Sequence, residues 1–339
     1  MKALVTGSTG FLGGHIVDGL LSRGHNVRCL VRNMDKAKRL TDLGLDVVMG
    51  DLRDIESLKR AAKGIDCVFH AAAKVSDWGP WAEFEQDTVQ GTRNMLDAAV
   101  SASVNRFLYV SSVGVYDRKL LAANMAPVKE DSSLTDGQRI ELYSKAKALA
   151  ESVVRHYSTE GNIDTTIIRP VTFYGPGDFP TVARLIEFVR GPLAVWIGNY
   201  DPVLGMIYVT DVADICIMAA SSDKAKNQIY NAALERGIKL REFMAVFCGQ
   251  MGLSLPKRSI PYWVAFVIAI VAERSAVLLR RKSPPFLTIA ELDFMTTLEE
   301  QASIAKAKRE LGWFPKIGLE EGVARTAEWA KSIVGEGKS

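Results

Sequence analysis

Residues 2–14 read KALVTGSTGFLGG, an apolar strand followed at once by a glycine-rich turn and the start of a helix. The first glycine of such a turn permits the tight bend, the second lets the backbone approach a pyrophosphate, and the third lets the helix pack on the strand. The helix N-terminus then faces the phosphates. A glycine triplet alone also fits a plain turn, but the strand–turn–helix context favours a dinucleotide site. The residues predicted to contact the cofactor here are Gly7, Thr9, Gly10, Phe11, Leu12 and Gly13.

Short apolar strands alternate with helix-length segments through the first half of the chain, which favours βαβ units and a parallel sheet. The predicted fold class is α/β, a Rossmann-type doubly wound parallel sheet with a smaller, mostly helical C-terminal substrate lobe. We expect residues 1–175 to form the nucleotide-binding domain, with residues 205–232 rejoining its sheet. We expect residues 176–204 and 233–335 to form the substrate lobe, because loops rich in glycine and proline open it.

The composition excludes several classes of function. Of the 339 residues, 48% are hydrophobic and 24% are charged, and the formal net charge is +3. Since lysine and arginine are spread along the chain, nucleic acid is not an expected partner. The four cysteines form no C-x-x-C pair, so neither a metal site nor a disulfide framework is predicted. The opening MKALVTG leaves no room for a signal peptide, so a cytoplasmic location is expected.

The end of the second predicted strand bears on the choice of nicotinamide cofactor. An acidic residue there would bind the ribose 2′-hydroxyl, whereas an arginine accommodates a 2′-phosphate. The strand ends in CLVRN, with Arg32 and no carboxylate before Asp35. This pattern favours NADP(H). If Arg32 is only a surface residue, NAD(H) is the alternative.

The carboxyl ends of later strands carry further candidate contacts, because open α/β sheets bind ligands at that edge. The third strand ends in GDLRD and the fourth in HAAAK, whose small residues would let a cofactor lie across the strand ends. Packing of helix on strand needs small residues too, and His70 is interpreted as a packed histidine rather than a catalyst. The cofactor contacts predicted from these two segments are Asp51, Leu52, Ala71, Ala72, Ala73 and Lys74.

Tyr143 and Lys147 lie four residues apart in the helical segment ELYSKAKALAE, so their side chains share one face. Taken alone, such a pair is more often a half-buried tyrosine beside a solvated lysine. A free phenol has a pKa of about 10, and a neighbouring ammonium favours the phenolate. The pair therefore also suits a general acid that protonates a carbonyl oxygen during hydride transfer.

Six motifs decide between these two interpretations, and in chain order they are TGSTGFLG, GDLRD, HAAAK, VSSVGVY, YSKAK and RPVTFYGPGD. Together they resemble the extended short-chain dehydrogenase/reductase superfamily over most of the chain. The resemblance implies a centre in which Ser112 hydrogen-bonds the substrate oxygen and Tyr143 is the general acid or base. It implies that Lys147 binds the nicotinamide ribose and holds the pKa of Tyr143 down, and that both residues are cofactor contacts. Ser112 rather than Ser111 stands at the family's position, four residues before the tyrosine of VSSVGVY.

The same resemblance gives meaning to further positions. RPVTFYGPGD supplies Pro170 as a cofactor contact and Thr172 as a substrate contact. Thr88 stands where the family usually has an asparagine that ties the active-site backbone together, and a threonine hydroxyl can make one such bond but not the full set. A homodimer paired through the helices of Met95 and Tyr143 would be usual for the superfamily.

Two features bear on the substrate. Extended members mostly act on nucleotide sugars and typically carry an arginine four residues before the tyrosine of a YVxD segment, to hold the diphosphate. Here Leu204 occupies that position in LGMIYVTDVAD, and an apolar side chain cannot neutralise a diphosphate. In the loop after the fourth strand, Trp78 and Trp81 would suit a large apolar ligand or would simply cover the core.

The segment SIPYWVAFVIAIVAERSAVLLRRKSPPF is the most distinctive part of the chain. Its uninterrupted apolar part, residues 262–272, is shorter than the ~20 residues that a bilayer span needs. Three interpretations stay open: a core helix, a substrate lid, or an element in a membrane interface with Arg280, Arg281 and Lys282 toward phospholipid head groups. The third predicts peripheral membrane contact through residues 260–282. With DWGPW and the C-terminal AKAKRELGWFPKIGLEEGVARTAEW, the segment is similar to the 3β-hydroxysteroid dehydrogenase branch, which includes bacterial reductases of long-chain 3-oxo acids.

The predicted function is that of an NAD(P)-dependent oxidoreductase, with NADP(H) favoured, that interconverts a ketone and a secondary alcohol on a lipophilic substrate. The two expected classes are 3β-hydroxysteroid or sterol-like compounds and long-chain 3-oxoacyl compounds. A nucleotide-sugar epimerase, dehydratase or reductase is the first alternative, and Leu204 argues against it. The second is a non-enzymatic nicotinamide sensor or membrane-associated scaffold, a class that tends to lose the tyrosine–lysine pair kept here.

Overall fold

A computed structural model describes residues 1–76, 78–122, 125–135, 142–191, 194–279, 281 and 283–336 of the chain. Its strands, numbered in chain order, are β1 (Lys2–Thr6), β2 (Asn26–Val31), β3 (Asp46–Met49), β4 (Cys67–His70), β5 (Arg106–Val110), β6 (Asp164–Pro170), β7 (Phe173–Tyr174), β8 (Val195–Ile197), β9 (Val203–Leu204), β10 (Ile207–Tyr208), β11 (Gln228–Ala232), β12 (Ile238–Lys239) and β13 (Arg258–Ile260). Its helices are α1 (Phe11–Ser22), α2 (Lys38–Asp42), α3 (Ile55–Ala62), α4 (Trp81–Phe84), α5 (Gly91–Ser101), α6 (Leu142–Thr159), α7 (Phe179–Arg190), α8 (Val209–Ala220), α9 (Leu240–Met251), α10 (Tyr262–Leu278), α11 (Ile289–Phe294), α12 (Ala305–Leu311) and α13 (Leu319–Glu336).

Seven strands form one parallel sheet in the order β11-β6-β5-β4-β1-β2-β3. Its central strands β4 and β5 are buried along their whole length, as expected for continuous apolar runs covered on both faces. The strand order reverses between β1 and β4, and the loops that follow these strands diverge there to open a crevice. The predicted α/β fold class is confirmed.

Helices cover both faces of this sheet. On one face, α1 and α8 pack against each other, and the completely buried Ile16 and Ile215 belong to the hydrophobic cluster beneath them. On the other face lie α3, α5 and α6, where Met95 and Val154 are also completely buried. The two layers hold the strand ends, and therefore the crevice, in a fixed arrangement.

The segments after β6 build a separate hydrophobic cluster, while β11 pairs with β6 and so returns to the main sheet. That cluster takes its buried side chains mainly from α7, α9 and α13, with Phe243 and Val323 among them. A smaller cluster joins Ala265 of α10 to Leu292 of α11. The domain boundaries given above stay a prediction.

None of the helices in the described ranges combines the length and the apolar content that crossing a bilayer requires. The four cysteines are free thiols and all are buried. Two residues of the predicted membrane contact, Arg280 and Lys282, lie outside the described residues.

Candidate active site

The glycine turn forms a cradle that only glycine can build. Gly7 has a φ of +70°, in the left-handed region. A Cβ on Gly13 would lie 2.6 Å from the carbonyl carbon of Gly7 and closer still to its oxygen. Gly10 precedes α1 without a side-chain cap, and the first turn of α1 has no acidic residue. This uncapped helix N-terminus and the close backbone approach fit the pyrophosphate of a dinucleotide.

The other predicted cofactor residues lie around this turn at the carboxyl edge of the sheet. Thr9 is exposed and Leu12 is buried, while the ring of Phe11 stacks on Phe173 with centroids 5.5 Å apart. The three alanines at positions 71–73 follow β4, and the backbone nitrogen of the middle one would lie only 3.0 Å from a Cβ on Gly7. This contact explains why position 7 carries no side chain.

The loop after β3 is tied to α5. Leu52 accepts a hydrogen bond on its carbonyl oxygen from the Asn94 amide at 2.7 Å. Asp51 accepts one on its carboxylate from the backbone N–H of Arg53 at 2.9 Å. Pro170, at the end of β6, is buried and lines the cavity described below.

Besides Lys147, two cations were predicted near the cofactor, and the structure places them differently. Arg32 is exposed directly after β2 and has no ion-pair partner within the described part of the chain. Lys74 pairs with Glu83, and its ammonium lies 5.2 Å from the ring centroid of Phe84. Arg32 is therefore the cation that can meet an added phosphate without losing a partner.

Ser112, Tyr143 and Thr172 come from three different elements and line one cavity. The neighbouring serines have different environments. Ser111 is buried and donates its hydroxyl hydrogen to Glu151 at 2.9 Å. The Ser112 hydroxyl accepts a hydrogen bond from the backbone N–H of Gly114 at 3.1 Å. Within the described residues it donates no hydrogen bond. Its hydrogen is thus available to a substrate oxygen, which supports the preference for Ser112.

Lys147 is buried on α6, one turn after Tyr143. Its ammonium donates to the carbonyl oxygen of Val110 at 2.6 Å and lies 5.9 Å from the ring centroid of Tyr143. Burial lowers the pKa of Lys147 from 10.5 to about 7, although the carboxylate of Glu151 opposes this shift. A buried ammonium close to a phenol is the arrangement that favours phenolate, because little solvent screens the pair.

Lys147→Met is expected to stabilise the fold at acidic and neutral pH while removing the cation beside Tyr143. Since the pKa of Lys147 is lower in the folded state, the unfolded chain binds more protons between about pH 7 and pH 10.5, and wild-type stability rises with pH there. The variant should gain up to about 5 kcal/mol below pH 7, and the gain should vanish above the unfolded pKa. Urea unfolding at several pH values, with the exposed Lys38→Met as control, measures this. A difference independent of pH would contradict it.

A buried ion pair behind Lys147 was not predicted from the sequence. Arg169 on β6 pairs with Glu151 on α6, and their side chains are 1% and 0% exposed. The guanidinium lies 4.7 Å from the ring centroid of Tyr116 and donates to the backbone carbonyl of Glu130 at 3.1 Å. With the hydrogen bond from Ser111, this pair joins β5, β6 and α6 directly behind the catalytic candidates. The sequence signal was the acidic residue four positions after Lys147, but its partner lies 18 residues further on.

Thr88 lies in a π-helical turn, Glu85–Gln90, between α4 and α5, and such turns are frequent at functional sites. Its hydroxyl accepts a hydrogen bond from the backbone N–H of Lys74 at 3.1 Å, which is the single bond expected of a threonine here.

His70 is completely buried between the hydroxyls of Thr6 and Thr92, and burial lowers its pKa to about 3. His70 is therefore a neutral, packed histidine.

The cavity has a volume of about 670 Å³, within the range of small-molecule sites. Its lining is largely apolar and comes mostly from the C-terminal lobe, with Phe188, Trp196, Met244, Ile260 and Phe294 among its side chains. These residues could not be predicted from the sequence, because nothing in their spacing links them to Tyr143.

Neither tryptophan predicted to contact substrate is among the described lining residues. Trp78 donates its ring N–H to the backbone carbonyl of Arg281 at 2.9 Å. Trp81 stacks under the ammonium of Lys145, which is 4.4 Å from the ring centroid. The structure instead places Val75 and Ser76 of the same loop against the cavity.

Two arginines line the cavity, and both are paired with carboxylates of α11. Arg118 binds Asp293 at 2.5 Å, and Arg184 pairs with Glu291. Glu300 accepts hydrogen bonds from the backbone N–H and the hydroxyl of Thr172 at 2.9 and 2.7 Å. The charged groups of this lining are thus neutralised or hydrogen-bonded by the protein itself. No cluster of metal-ligating side chains occurs in the described ranges.

Comparison with known proteins agrees with this geometry. The NAD dependent epimerase/dehydratase family matches residues 3–233. The chain is 29% identical over 334 residues to a 2-alkyl-3-oxoalkanoate reductase of Stenotrophomonas maltophilia (strain K279a), across 96% of this chain and 98% of the relative. It is 30% identical over 346 residues to a 3 beta-hydroxysteroid dehydrogenase/Delta 5-->4-isomerase of Mycobacterium tuberculosis (strain ATCC 25618 / H37Rv), across 98% and 91%. The crystal structure of gox2253 superposes with a TM-score of 0.81 at 28% identity, covering 98% of both chains.

The family match covers the glycine turn, the strand ends and the Tyr143–Lys147 pair. The relatives extend the similarity over the C-terminal lobe that lines the cavity and include the predicted 3β-hydroxysteroid dehydrogenase branch. The chain therefore belongs to the NAD-dependent epimerase/dehydratase family, among the nicotinamide-dependent oxidoreductases of the extended short-chain dehydrogenase/reductase superfamily.

Proposed function

We propose that this protein is an NADP(H)-preferring oxidoreductase that interconverts a ketone and a secondary alcohol on a lipophilic substrate, either steroid-like or long-chain 3-oxoacyl. The observation that carries the proposal is the large, mainly apolar cavity that Ser112 and Tyr143 line together. Two relatives, the 2-alkyl-3-oxoalkanoate reductase and the 3 beta-hydroxysteroid dehydrogenase/Delta 5-->4-isomerase, are named for reactions of this kind.

Each residue has a defined part in this reaction. The nicotinamide, when bound, supplies or accepts the hydride. Ser112 donates a hydrogen bond to the substrate oxygen and so holds the carbonyl in place. Tyr143 gives that oxygen its proton in reduction and removes it in oxidation. Lys147 stabilises the phenolate that remains, which keeps Tyr143 able to work in both directions.

The apolar substrate class is supported by the position of Leu204, which lies in the hydrophobic cluster of the lobe at 2% exposure. A diphosphate held there would lack a cation and would be desolvated, at a cost of several kcal/mol. The two cavity arginines are already paired, so an anionic substrate would share each of them with Asp293 or Glu291.

A substrate panel tests the function. Nicotinamide absorbance is followed with steroid ketones, long-chain 3-oxo acids, their uncharged esters and nucleotide sugars, each with NADPH and with NADH. Turnover of at least one lipophilic ketone is expected, with no turnover of any nucleotide sugar. Activity confined to nucleotide sugars would overturn the proposal, and the comparison of acids with esters distinguishes the two lipid classes.

Arg32→Ala is expected to weaken NADPH binding selectively. A charge-assisted bond to the 2′-phosphate contributes about 1.5–3 kcal/mol, so the Kd for NADPH should rise about 10- to 150-fold while the Kd for NADH stays the same. Fluorescence titration of the purified protein measures both constants. Lys36→Ala, which removes another exposed cation close by, is the control. An equal loss for the two cofactors would show that Arg32 does not read the phosphate.

A further inference from the structure

Helix α10 has its large apolar side chains on the outside of the molecule. The residues it buries against the protein are alanines: Ala265 and Ala269 are 0% exposed and Ala276 is 2% exposed. Trp263 and Leu278, near the two ends of the helix, are 68% and 83% exposed. A helix that only covered a core would show the opposite arrangement, with its large side chains inward.

The outward apolar residues recur at helical spacing, with the exposed Arg274 between Val271 and Leu278. We call these residues and the apolar residues that follow them the docking face, which comprises Trp263, Phe266, Val267, Val271, Leu278, Leu279 and Phe286. Together with Val277 these are eight of the eighteen large apolar side chains exposed in the described part of the chain, within 24 consecutive residues. Such clustering distinguishes an interaction surface from singly scattered apolar residues.

Positive charge frames the docking face. Residues 255–286 contain six basic residues and one acidic residue, in a chain whose formal net charge is only +3. Lys257 and Arg258 are exposed just before α10, and Arg274 and Arg281 are exposed near its end. The single acid, Glu273, is partly buried and accepts the backbone N–H of Ile289 at 2.8 Å. Apolar side chains flanked by cations fit a surface that is apolar within and anionic outside.

The docking face is also continuous with the cavity. Ala265 and Ile268, on the inner side of α10, line the cavity. Phe286 lines it too and is 67% exposed, so it lies at the boundary between cavity and solvent. A lipophilic molecule could pass from this surface to Tyr143 with little exposure to water, a consequence that rests on the function proposed above.

We propose that the docking face binds the surface of a phospholipid bilayer containing anionic lipids, with α10 lying in the plane of the interface. The helix has 17 residues, so it is about 25 Å long, which suits a helix lying along the interface. Trp263 and the outward aliphatic residues enter the acyl boundary, while the flanking cations contact the phosphates. The bilayer holds the apolar substrate that the cavity receives.

Vesicle flotation with purified protein, without nicotinamide or substrate, tests the surface. Wild type is expected to bind phosphatidylcholine vesicles containing phosphatidylglycerol at least about 10-fold more tightly than vesicles of phosphatidylcholine alone. Trp263→Ser/Leu278→Ser should weaken that binding at least about 30-fold, because both side chains are already solvent-exposed and their loss leaves the core intact. Leu43→Ser/Phe314→Ser, which removes two exposed apolar side chains elsewhere, should bind like wild type. Lys257→Glu/Arg258→Glu should lose the preference for anionic vesicles.

Three results would overturn the proposal. The first is that wild type binds neither vesicle, and the second is that the Trp263→Ser/Leu278→Ser variant binds as tightly as wild type. The third is that the control variant loses as much vesicle affinity as the Trp263→Ser/Leu278→Ser variant does. A wild-type dimer that dissociates in the Trp263→Ser/Leu278→Ser variant, with no vesicle binding, would assign the face to a second copy of the chain instead. Because no turnover is measured, the outcome is independent of the substrate panel. Vesicle binding without lipid-ketone activity would refute the proposed function alone, and the reverse would refute the docking face alone.

Discussion

Tyr143→Phe is expected to lower kcat for the lipophilic ketone by about 1000-fold. When hydride reaches the carbonyl carbon, the carbonyl oxygen would have no proton donor. The substitution removes one oxygen atom from a partly buried ring at the start of α6 and keeps the ring's packing. Nicotinamide binding, measured by fluorescence titration, should weaken by about 10-fold at most, because the other predicted cofactor contacts remain. A loss in kcat far larger than the loss in cofactor affinity is the signature of an interaction made in the transition state.

Tyr157→Phe is the matched control, since Tyr157 lies on the same helix and its hydroxyl donates a hydrogen bond to the Asp97 carboxylate at the surface. Its activity should equal that of wild type within a factor of two or so. If Tyr143→Phe kept more than about a tenth of wild-type turnover with the fold intact, the assignment of Tyr143 as the proton donor would be wrong.

Arg169→Met is expected to reduce the free energy of unfolding by about 3–5 kcal/mol, because it leaves the Glu151 carboxylate buried without its counter-charge. The pair is essentially inaccessible to solvent, so water cannot replace the lost guanidinium. The double variant Glu151→Met/Arg169→Met removes both charges and should recover most of the stability. Urea denaturation of the two single variants and the double variant gives the coupling energy directly.

The control for this cycle is an exposed pair, Lys59 and Glu56 on α3, whose side chains are 43% and 66% exposed. Lys59→Met should change stability by less than about 1 kcal/mol. If Arg169→Met cost no more than this control, the buried pair would not be what joins β5, β6 and α6 behind the site.

Local chemistry made parts of the site predictable from the sequence. Gly13 had to be small because α1 starts against the carbonyl of Gly7, and that constraint lies within seven residues of chain. Tyr143 and Lys147 are related by helix geometry alone, so their shared face was also predictable. The cavity wall was not, because Phe188, Ile260 and Phe294 meet only when two lobe helices and a short strand pack together. The tryptophans of the loop after β4 show the same limit. Their large aromatic rings suited an apolar ligand, but in the fold Trp78 contacts Arg281 and Trp81 contacts Lys145.

The sequence by itself determined the parallel sheet, the glycine cradle at its carboxyl edge and the tyrosine–lysine pair, because each depends on residues close in the chain and on strand and helix periodicity. Only the tertiary structure decided which way the apolar residues of α10 face. An almost uniformly apolar segment has no polar side to mark the solvent, so its sequence is compatible with either orientation. The packing of Ala265, Ala269 and Ala276 against the lobe fixes the inner face, and this turns Trp263 and Leu278 outward.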